Sequence, residues 1–503
     1  MSLPSPVSAP EVGDVHTVRG ALRSPRVLRT EVLAGLVVAL ALIPEAISFS
    51  IIAGVDPRVG LFASFTMAVT IAFTGGRPAM ISAATGAIAL VIAPVGREHG
   101  LDYLLATVVV GGVLQVILAA AGVAKLMRFI PRSVMVGFVN ALAILIFLAQ
   151  VPHLVDVPWL VYPMVAAGLA IMVALPRLTR VVPAPLIAIV VLTVVTTVFA
   201  LAVPDVGDEG ELPRSLPSLL IPNVPFSFET LQIIAPYALG LALVGLMESL
   251  MTAKLVDDVT DTHSDKSREA WGQGVANVVT GFFGGMGGCA MIGQTMINVK
   301  ASGARTRIST FLAGIFLLAL VVGAGDVVAV IPMAALVAVM IIVAVATFEW
   351  HSIQPGTLRR MPKSETFVMI STVAVVVATH NLAIGVVVGV IVAMVMFARR
   401  VAHLTEVVEV DQPDPGTRVY KVVGELFFAS SNDLVYQFDY AGDPDHVVID
   451  MSESHIWDAS TVAALDAIET KYARKGKRVE IRGLNESSLD RHQRLAGHLG
   501  GGH

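Results

Sequence analysis

The sequence predicts an α-helical polytopic membrane protein of about fourteen spans, followed by a small α/β domain at the C-terminus. The 503 residues are 55% hydrophobic and only 15% charged, whereas a soluble domain usually has about 25% charged residues. Apolar segments with short interruptions run from about Val32 to Ala402, and beyond Arg400 the pattern changes to alternating strands and helices. The 43 glycines and 27 prolines are typical of closely packed or broken membrane helices.

The apolar segments determine the number of spans. A helix needs about 20 apolar residues to cross the hydrocarbon core, so roughly 370 residues at about 26 per span and loop predict about fourteen spans. The third and tenth segments look too short for full helical spans. The segments begin near Val32, Val59, Ala79, Tyr103, Ser133, Leu160, Ala184, Leu231, Ala270, Ala290, Ser309, Val328, Thr366 and Leu382.

The positive charges support an even number of spans with both termini inside. With a cytoplasmic N-terminus, the only basic residues in the predicted outer loops are Arg58, Arg97 and Arg214. The acidic run 205–211 also lies outside. A miscount of one span in the middle would spoil this segregation. We therefore predict a multi-pass protein of the cell membrane whose N- and C-termini are cytoplasmic. The basic residues on the inside are Arg19, Arg23, Arg26, Arg29, Arg77, Lys125, Arg128, Arg132, Arg177, Arg180, Lys254, Lys266, Arg268, Lys300, Arg305, Arg307, Arg359, Arg360, Lys363, Arg399 and Arg400.

A charged segment with two prolines separates the membrane part from the C-terminal domain. Apolar alternation and helical periodicity beyond it predict a mixed α/β fold. We predict an N-terminal cytoplasmic segment at 1–30, a transmembrane domain at 31–402, a linker at 403–416 and a cytoplasmic domain at 417–503. The predicted strands of that domain are Arg418–Leu426, His446–Met451 and Arg478–Ile481, and the predicted helices are Ser431–Phe438, Ser460–Arg474 and Ser487–Leu499.

Two acidic residues lie inside predicted spans, where ionisable side chains are costly and are functional candidates by default. Glu45 lies in the first span, in Ala-Leu-Ile-Pro-Glu-Ala-Ile-Ser, and Glu248 lies in the eighth, in Gly-Leu-Met-Glu-Ser-Leu-Met-Thr. With fourteen spans, the first and eighth hold equivalent places in two seven-span halves. The less favoured alternative is that each acid only bonds a neighbouring helix.

The third and tenth segments also correspond to each other. Glycine- and proline-containing runs at 75–78 and 284–288 precede the short apolar segments Ala79–Ala87 and Cys289–Thr295. Such a pair in matching positions is the best sequence indicator of a transporter binding site. Because seven is odd, the halves are inverted, and we expect two half-helices whose N-termini face each other at mid-membrane. A helix N-terminus attracts an anion through roughly +0.5 of an elementary charge and free N–H groups.

Several motifs in these segments match a known family. They are Pro-Glu-Ala-Ile-Ser-Phe in the first span, Glu-Ser-Leu-Met-Thr-Ala-Lys in the eighth, and Asn298-Val299-Lys300 followed by Gly303-Ala304-Arg305-Thr306. They resemble the sulfate permease (SulP) family of anion transporters, and the resemblance is to a bacterial member. Those proteins end in a STAS domain, whose Asp-x-Ser signature resembles Ile456-Trp457-Asp458-Ala459-Ser460-Thr461. The resemblance covers roughly Val32 to the C-terminus.

The resemblance implies a fold of two inverted seven-span repeats, shared with nucleobase transporters. It implies a core of spans 1–4 and 8–11, a gate of spans 5–7 and 12–14, and a homodimer in the lipid bilayer that carries a small inorganic or organic anion. No nucleic-acid partner is implied. Substrate would lie between the third and tenth segments, beside spans 1 and 8. The candidate substrate-binding residues are then Glu45, Phe49, Ser82, Ala84, Thr85, Glu248, Gly293, Gln294 and Thr295.

Two departures from the family pattern bear on the mechanism. Many relatives have Gln in place of Glu45, and many have Ser-Arg-Ser or Ser-Arg-Thr in place of Gly293-Gln294-Thr295. The site therefore gains a carboxyl group and lacks a guanidinium, which argues against a chloride channel or a simple anion exchanger. Two ionised carboxylates beside an anion would repel by several kcal/mol at low dielectric constant. We expect at least one to be protonated, or paired with Na⁺, when the anion binds.

We therefore predict secondary active symport of anion and proton by alternating access, with sulfate or a carboxylate such as a dicarboxylate as cargo. Glu248 is the predicted proton carrier, and Glu45 assists it or contacts substrate. Thr252 lies one turn after Glu248 on the same helical face. That pair is the candidate Na⁺ site in the alternative, a Na⁺-coupled symporter of bicarbonate or another anion. No cofactor is predicted beyond the co-transported H⁺ or Na⁺.

Other features carry weaker hypotheses. As a STAS serine, Ser460 is a candidate phosphorylation site, although helix capping is the simpler explanation. The single cysteine, Cys289, supports neither a disulfide nor a metal cluster, and no metal site is predicted. We find no phosphate-binding glycine loop, zinc spacing or catalytic triad, so nothing in the sequence suggests an enzyme.

Two other classes of protein stay open. In the first, the membrane part anchors a signalling STAS domain that binds a cytoplasmic protein partner, although an anchor needs neither paired acids nor matched broken segments. In the second, the chain is a nucleobase transporter of the same fold, although the segment 298–306 and the STAS domain argue against it. Uptake by a chain that lacks its C-terminal domain would separate a transporter from an anchor.

Overall fold

A computed structural model describes residues 17–126, 130–178, 183–402, 405–410 and 416–496. Residues 1–16 of the predicted N-terminal segment, part of the predicted linker and the end of the last predicted helix lie outside the described residues. The chain forms two compact units, Met1–Val390 and Ile391–His503. The division falls within the last apolar helix, earlier than the predicted boundary at residue 402.

The first unit is made of helices, with one pair of very short strands. Its strands are β1 (Ser82–Ala83) and β2 (Cys289–Ala290). Its helices are α1 (Val18–Arg23), α2 (Pro25–Ala53), α3 (Pro57–Thr74), α4 (Gly86–His99), α5 (Leu101–Ala120), α6 (Val123–Leu126), α7 (Arg132–Leu148), α8 (Val161–Leu178), α9 (Ala184–Val198), α10 (Phe228–Thr260), α11 (Lys266–Phe282), α12 (Ile292–Met296), α13 (Arg307–Gly323), α14 (Gly325–Ala329), α15 (Met333–Thr347), α16 (Pro355–Arg360), α17 (Lys363–Thr379) and the first part of α18 (Leu382–Ala402). A π-helical turn, Ile297–Ala301, continues α12.

The helices follow the predicted segments. Within the described residues, six stretches of helix, around α2, α3, α5, α7, α10 and α18, are long and apolar enough to cross a membrane, and α8, α9, α13 and α15 are shorter apolar helices. The chain is a multi-pass membrane protein, and the count of fourteen spans stays a prediction. The helix of the first predicted span, α2, begins at Pro25 instead of Val32, because a proline suits the first helical turn and the polar residues after it continue the helix.

Packing partners recur between the two halves in the way that a structural repeat requires. α2 packs on α13 as α10 packs on α5, and α3 packs on α13 as α11 packs on α5. The helices α2 and α13 are predicted spans 1 and 11, and the equivalent spans of the other halves are 8 and 4, which are α10 and α5. In the same way, spans 2 and 11 (α3 and α13) are equivalent to spans 9 and 4 (α11 and α5). The remaining helices α7, α8, α15 and α17 pack largely on one another. The packing therefore separates two groups of helices, and their assignment as the core and gate that the resemblance implies stays a prediction.

Glycines bring α5 and α11 into backbone contact. A Cβ atom added at Gly112 would lie 2.7 Å from the carbonyl oxygen of Gly274, and one added at Gly274 would lie 2.7 Å from the carbonyl oxygen of Gly112. Small residues drive the association of membrane helices because they let backbones pack directly. This contact joins one half of the chain to the other.

A buried acid near the start of α2 caps a helix of the other half. Glu31 is 1% exposed. Its carboxylate accepts hydrogen bonds from the N–H groups of Arg305 (2.7 Å), Thr306 (3.0 Å) and Ser309 (3.1 Å) at the beginning of α13. The first N–H groups of a helix have no partner within it, and a carboxylate there also interacts favourably with the helix dipole.

Replacing Glu31 with Ala is expected to lower the stability of the membrane unit by about 3 kcal/mol or more, because each buried group left without a partner costs about 1–3 kcal/mol. Thermal unfolding of the purified protein in detergent should show a lower midpoint temperature. Glu229→Ala is the matched control, because Glu229 is exposed in the first turn of α10. If both variants unfold at the same temperature, Glu31 does not have this capping role.

The second unit contains the end of α18, a four-stranded sheet and three further helices. Its elements are β3 (Glu406–Val410), β4 (Thr417–Leu426), α19 (Phe428–Leu434), β5 (His446–Ile456), α20 (Ala459–Ala473), β6 (Arg478–Arg482) and α21 (Glu486–Leu495). The strand order is β3-β4-β5-β6, with β3 antiparallel to β4 and the other neighbours parallel. The predicted apolar stripe of Val462, Leu465 and Ile468 on α20 is fully buried. The predicted small α/β domain is confirmed.

Two predicted elements of this domain differ from the structure. The segment predicted as a linker at 403–416 contains β3, which pairs along β4. The glutamates made the segment look like a polar linker, but β3 is an edge strand, and edge strands tolerate charged residues. The helix predicted at Ser431–Phe438 begins at Phe428. There the Ser430 hydroxyl accepts from the Phe427 N–H at 3.0 Å, so the serine acts from inside the helix and not before it.

The capping role considered for Ser460 is also wrong. Asp458 is the cap of α20, and its carboxylate accepts from the Thr461 N–H at 3.1 Å. Ser460 lies in the first turn of the helix and is exposed. Aspartate and serine are about equally good caps, and β5 continues to Ile456, beyond its predicted end at Met451, which places the turn at Asp458.

A buried acid lies in the core of this domain. The Asp443 carboxylate accepts hydrogen bonds from the hydroxyls of Tyr420 (2.9 Å) and Tyr472 (2.5 Å). Burial, together with the hydrogen bond and charge of Asp443, raises the pKa of Tyr472 far above its ordinary value. Burial raises the pKa of Tyr440, which packs on the Tyr472 ring, to about 12.

The stability of this domain is expected to fall as the pH rises above about 10, the ordinary pKa of tyrosine. Above it the unfolded chain loses hydroxyl protons that Tyr440 and Tyr472 keep in the folded domain, so stability is complete below about pH 10 and is lost above it. Urea unfolding of the full chain, read by pulse proteolysis of the C-terminal domain, measures this. Tyr472→Phe should reduce the alkaline loss, and Tyr436→Phe, at a residue 82% exposed, should not.

Candidate anion-binding site

The third and tenth segments cross in the buried interior of the first unit. β1 pairs antiparallel with β2, with Ser82 opposite Ala290 and Ala83 opposite Cys289. α4 follows β1, and α12 follows β2. Because the strands run in opposite directions, the two helices leave the crossing in opposite directions with their N-termini toward it. This is the half-helix arrangement that the sequence predicted.

Glu45 lies on a more open side of the crossing. It is partly buried in α2, and its carboxylate accepts a hydrogen bond from the side-chain amide of Gln294 at 2.5 Å. Gln294 is in the first turn of α12 beside Gly293, which is exposed and has no heavy atom within 4 Å of the position of a Cβ. The start of α12 therefore borders open space, with one carboxylate and one amide beside it.

Glu248 is more deeply buried, at 9% exposure in α10. Its carboxylate accepts a hydrogen bond from the thiol of Cys289 at 2.8 Å. The Cys289 sulfur also lies 3.1 Å from the Thr85 hydroxyl. Thr85 caps α4 by accepting from the Ile88 N–H at 3.4 Å. A chain of hydrogen bonds therefore runs from the acid of one half to the half-helix N-terminus of the other.

Buried polar side chains hold β2 in position. Asn277 of α11 donates to the carbonyl oxygen of Gly288 at 3.0 Å and accepts from its N–H at 2.8 Å, so both backbone groups before the strand have partners. The Asn277 amide also donates to the Gln115 side chain of α5 at 2.9 Å. Ser249 of α10 accepts from the Ala290 N–H at 3.1 Å. Three helices, α5 of the first half and α10 and α11 of the second, therefore meet at the tenth segment.

The side chains of Ser82 and Thr295 are buried in the scaffold around the crossing. The Ser82 hydroxyl accepts from the Gln273 amide at 2.6 Å. The Thr295 hydroxyl accepts from the Ile81 N–H at 3.0 Å. The first bond holds the third segment against α11, and the second holds the third and tenth segments against each other. In this structure both residues support the crossing, and neither borders the open space at the start of α12.

Thr252, Phe49 and Ala84 lie close to the site in different ways. The Thr252 hydroxyl donates to the backbone carbonyl of Glu248 at 2.8 Å, so it bonds its own helix and not the carboxylate. The oxygen of that hydroxyl keeps its lone pairs, so Glu248 with Thr252 stays the candidate Na⁺ site of the alternative. Phe49 is buried against the start of α4, where a Cβ added at Gly86 would lie 2.9 Å from its ring. Ala84 is buried between β1 and the cap of α4.

No lysine or arginine forms an ion pair with either carboxylate among the described residues. The basic residues that flank the third and tenth segments have other partners. Arg77 pairs with Asp257 at 3.0 Å, and Lys266 pairs with the same carboxylate at 2.5 Å. Arg305 and Arg307 donate to backbone carbonyls. The crossing therefore contains two carboxyl groups whose partners are neutral.

Cys289 is a site residue that the sequence did not indicate. A single cysteine in a glycine-rich run has no spacing to interpret, and its contact with Glu248 depends on the crossing of segments distant in the chain. Its place at the start of the tenth segment was the one available signal. Asn277 and Gln115 offered a clearer one, because polar residues within apolar spans commonly bond neighbouring helices.

Two inverted halves, a crossed pair of broken segments and buried acids beside them define a membrane transporter of the inverted-repeat class. The sulfate permease family matches residues 28–163 and 157–372, and the STAS domain matches residues 409–497. The chain belongs to the sulfate permease family, a family of anion transporters, and carries a C-terminal STAS domain. The resemblance seen in the motifs is confirmed.

Relatives and solved structures match over most of the chain. The Bacillus subtilis (strain 168) protein named "Putative sulfate transporter YbaR" is 52% identical over 469 residues, which are 93% of this chain and 97% of that protein. The bicarbonate transporter BicA of Picosynechococcus sp. is 26% identical over 497 residues, 88% and 87% of the two chains. The structure of SLC26A9 has a TM-score of 0.78 over 93% of this chain and 86% of that one, at 15% identity. The transmembrane domain of a cyanobacterial BicA has a TM-score of 0.63 over 73% and 97%, at 24% identity. These two structures show the fold alone.

Proposed function

We propose that the chain is a secondary active transporter that carries a small anion together with protons by alternating access. The observation that carries the proposal is the pair of carboxyl groups at the crossing, each hydrogen-bonded to a neutral donor. Family membership supports transport of an anion. The carboxyl groups support its coupling to protons.

Electrostatic repulsion couples the anion to the proton. The N-terminus of α4 favours a nearby anion, but an ionised carboxylate about 4 Å away would oppose it by about 4 kcal/mol at an effective dielectric constant of about 20. A thiol or an amide stabilises a carboxylate by hydrogen bonding without adding positive charge. Protonation of the carboxyl removes the repulsion. Anion binding and protonation therefore favour each other, and the two ligands are transported together.

The two acids have different environments, and we assign them different roles. Glu248 is the more buried and lies at the end of the hydrogen-bond chain to Thr85, which suits a group that holds the proton while substrate moves. Glu45 borders the open space beside Gly293 and is held by Gln294, which suits a group that contacts substrate or assists the transfer.

The proposed cargo is sulfate or a carboxylate, including dicarboxylates. Relatives named for sulfate and for bicarbonate support a small oxyanion. A divalent anion gains most from protonation of a neighbouring acid, because the repulsion that protonation removes is proportional to the charge of the anion. The carboxyl-rich, guanidinium-free crossing therefore favours an anion that arrives with protons.

We also propose that both termini are cytoplasmic, that the transporter is a homodimer in the cell membrane, and that the STAS domain binds a cytoplasmic protein partner. The orientation is supported by the charge distribution, since the outer loops of the predicted topology contain only Arg58, Arg97 and Arg214. Labelling of single cysteines introduced into outer loops of a Cys289→Ser chain tests the orientation in intact cells.

Flux into proteoliposomes with clamped internal and external pH tests the transport proposal. Sulfate, bicarbonate, chloride, oxalate and C4-dicarboxylates are offered in turn. We expect sulfate or a carboxylate to accumulate when an inward proton gradient is imposed without Na⁺. Uptake that ignores the proton gradient and follows a Na⁺ gradient would establish the Na⁺-coupled alternative. Uptake indifferent to both gradients would overturn the coupling.

A further inference from the structure

The hydrogen-bond chain Glu248–Cys289–Thr85 has a direction that the protonation of Glu248 determines. An ionised carboxylate can only accept hydrogen bonds, so the Cys289 thiol must donate to it. A thiol has a single proton. The contact of 3.1 Å between the sulfur and Thr85 must then be donated by the threonine hydroxyl. In this state the Thr85 proton is directed at the sulfur, and its oxygen accepts from Ile88.

Protonation of Glu248 permits the opposite direction. The new carboxyl O–H donates to the sulfur, the S–H turns to the Thr85 oxygen, and the Thr85 proton is released to another acceptor. No bond to sulfur is made or broken other than hydrogen bonds, and the one proton gained stays on Glu248. The released hydroxyl stands at the cap of α4, the helix whose N-terminus faces the crossing.

We propose that Cys289 is a positioning residue that relays the protonation of Glu248 to the Thr85 hydroxyl, so that protonation adds one hydrogen-bond donor to the anion site. This inference rests on the proposed function and deepens it, because it names the side chains that couple the two ligands. Simple neutralisation of charge needs no side chain between the proton and the anion. A relay does, and its removal leaves the neutralisation in place.

The surroundings of the thiol suit a relay. Cys289 is 0% exposed and Thr85 is also buried, so solvent does not substitute for either partner. The backbone before Cys289 is held on both sides by the Asn277 amide. The thiol proton can therefore rotate between two acceptors while the sulfur stays in place. A residue that served only to fill space would need no polar partner on either side.

Glu248 is the titratable group whose protonation determines the direction of these hydrogen bonds. The elements that pack on α10 are α4, α5, α11, β2 and α12, and on them Cys289 is the titratable contact of Glu248 within the described residues. Glu45 of α2 is bonded to Gln294 of α12. The other charged or titratable groups of those elements and of α10 lie toward the ends of helices, except Tyr237, which is in the third turn of α10. They are Arg97, Glu98 and His99 of α4, Asp102 and Tyr103 of α5, Lys266, Arg268 and Glu269 of α11, and, on α10 itself, Glu229, Tyr237, Lys254, Asp257 and Asp258.

The test compares the full-length wild type with Cys289→Ala, Cys289→Ser and Thr85→Val in proteoliposomes. The KM values for sulfate and for oxalate are measured at acidic and at neutral external pH. In the wild type we expect a lower KM at acidic pH. Loss of the relay in Cys289→Ala or Thr85→Val should raise the KM at acidic pH. The ratio of the KM at neutral pH to the KM at acidic pH should therefore fall by about tenfold. Cys289→Ser keeps a donor and an acceptor, and it should keep the ratio.

The outcomes separate the relay from the proposed function. If the wild type shows no response to a proton gradient with either anion, the proposed function fails before any variant is compared. If the wild type is proton-coupled and Cys289→Ala keeps its full pH dependence, or raises KM equally at both pH values, the relay is overturned. Failure of Cys289→Ser to keep the ratio also overturns it. Should Cys289→Ala melt at a lower temperature than the wild type, Thr85→Val, which conserves volume, gives the decision.

Discussion

Replacing Glu248 with Gln is expected to abolish the accumulation of anion driven by a proton gradient, while downhill uptake continues. Glutamine keeps the size of the side chain and can still accept from Cys289, but it carries no transportable proton. For one proton moved with one monovalent anion, a gradient of one pH unit sustains about tenfold accumulation. The variant should reach only the external concentration. Tracer accumulation in proteoliposomes measures the difference.

Two companion variants make this result specific. Glu229→Gln, at an exposed position at the start of the same helix, should accumulate anion like the wild type. Glu45→Gln should change the KM more than the accumulation, because the Glu45 carboxylate borders the open space beside Gly293. Accumulation by Glu248→Gln at the wild-type level would remove Glu248 from the coupling role, and loss of accumulation in Glu45→Gln alone would exchange the two assignments.

Gly288→Ala is expected to prevent the membrane unit from folding. A Cβ atom at this position would lie 2.0 Å from the backbone carbonyl oxygen of Ala83 in β1. β1 and β2 would have to separate, which would break the two hydrogen bonds between Asn277 and Gly288 and move Cys289 away from Glu248. A loss of more than about 4 kcal/mol is expected, a large fraction of the stability of a typical domain. The yield of monodisperse protein in detergent measures it.

Gly293 provides the matched control in the same segment. A Cβ there meets no heavy atom within 4 Å, so Gly293→Ala should fold and melt like the wild type. Gly293→Phe should also fold, but it should lose anion uptake, because the ring would occupy the open space at the start of α12. Normal yield and transport in Gly288→Ala would show that the crossing tolerates a wider separation than the structure indicates.

The spans and the two broken segments could be predicted because each depends on a local property of the chain. Length and apolarity determine which segments enter the bilayer, and glycines interrupt a helix where they stand. Glu45 and Glu248 were found for the same reason, since each is a charged residue among apolar neighbours. The matching of the two halves then gave the half-helix geometry without any knowledge of contacts.

The partners of these residues could not be predicted, because they depend on which distant segments cross. Nothing near Glu31 in sequence indicates that it caps α13, and nothing near Cys289 indicates that it bonds Glu248. In the STAS domain, Asp458 and Ser460 are both good caps. The choice between them follows from where β5 ends, which is determined by its pairing with β4.

The packing of each half on the other has a consequence for synthesis of the protein. Neither α3 nor α5 has its largest packing partner until α13 and α11 have been made. Ribosomes add about 5–20 residues per second, so the roughly 230 residues between α3 and α13 take about 10–50 s to translate. For that time Glu31 has no α13 to cap. The nascent first half therefore lacks these contacts while the second half is translated, and we expect chains that terminate early to be degraded faster than the complete chain.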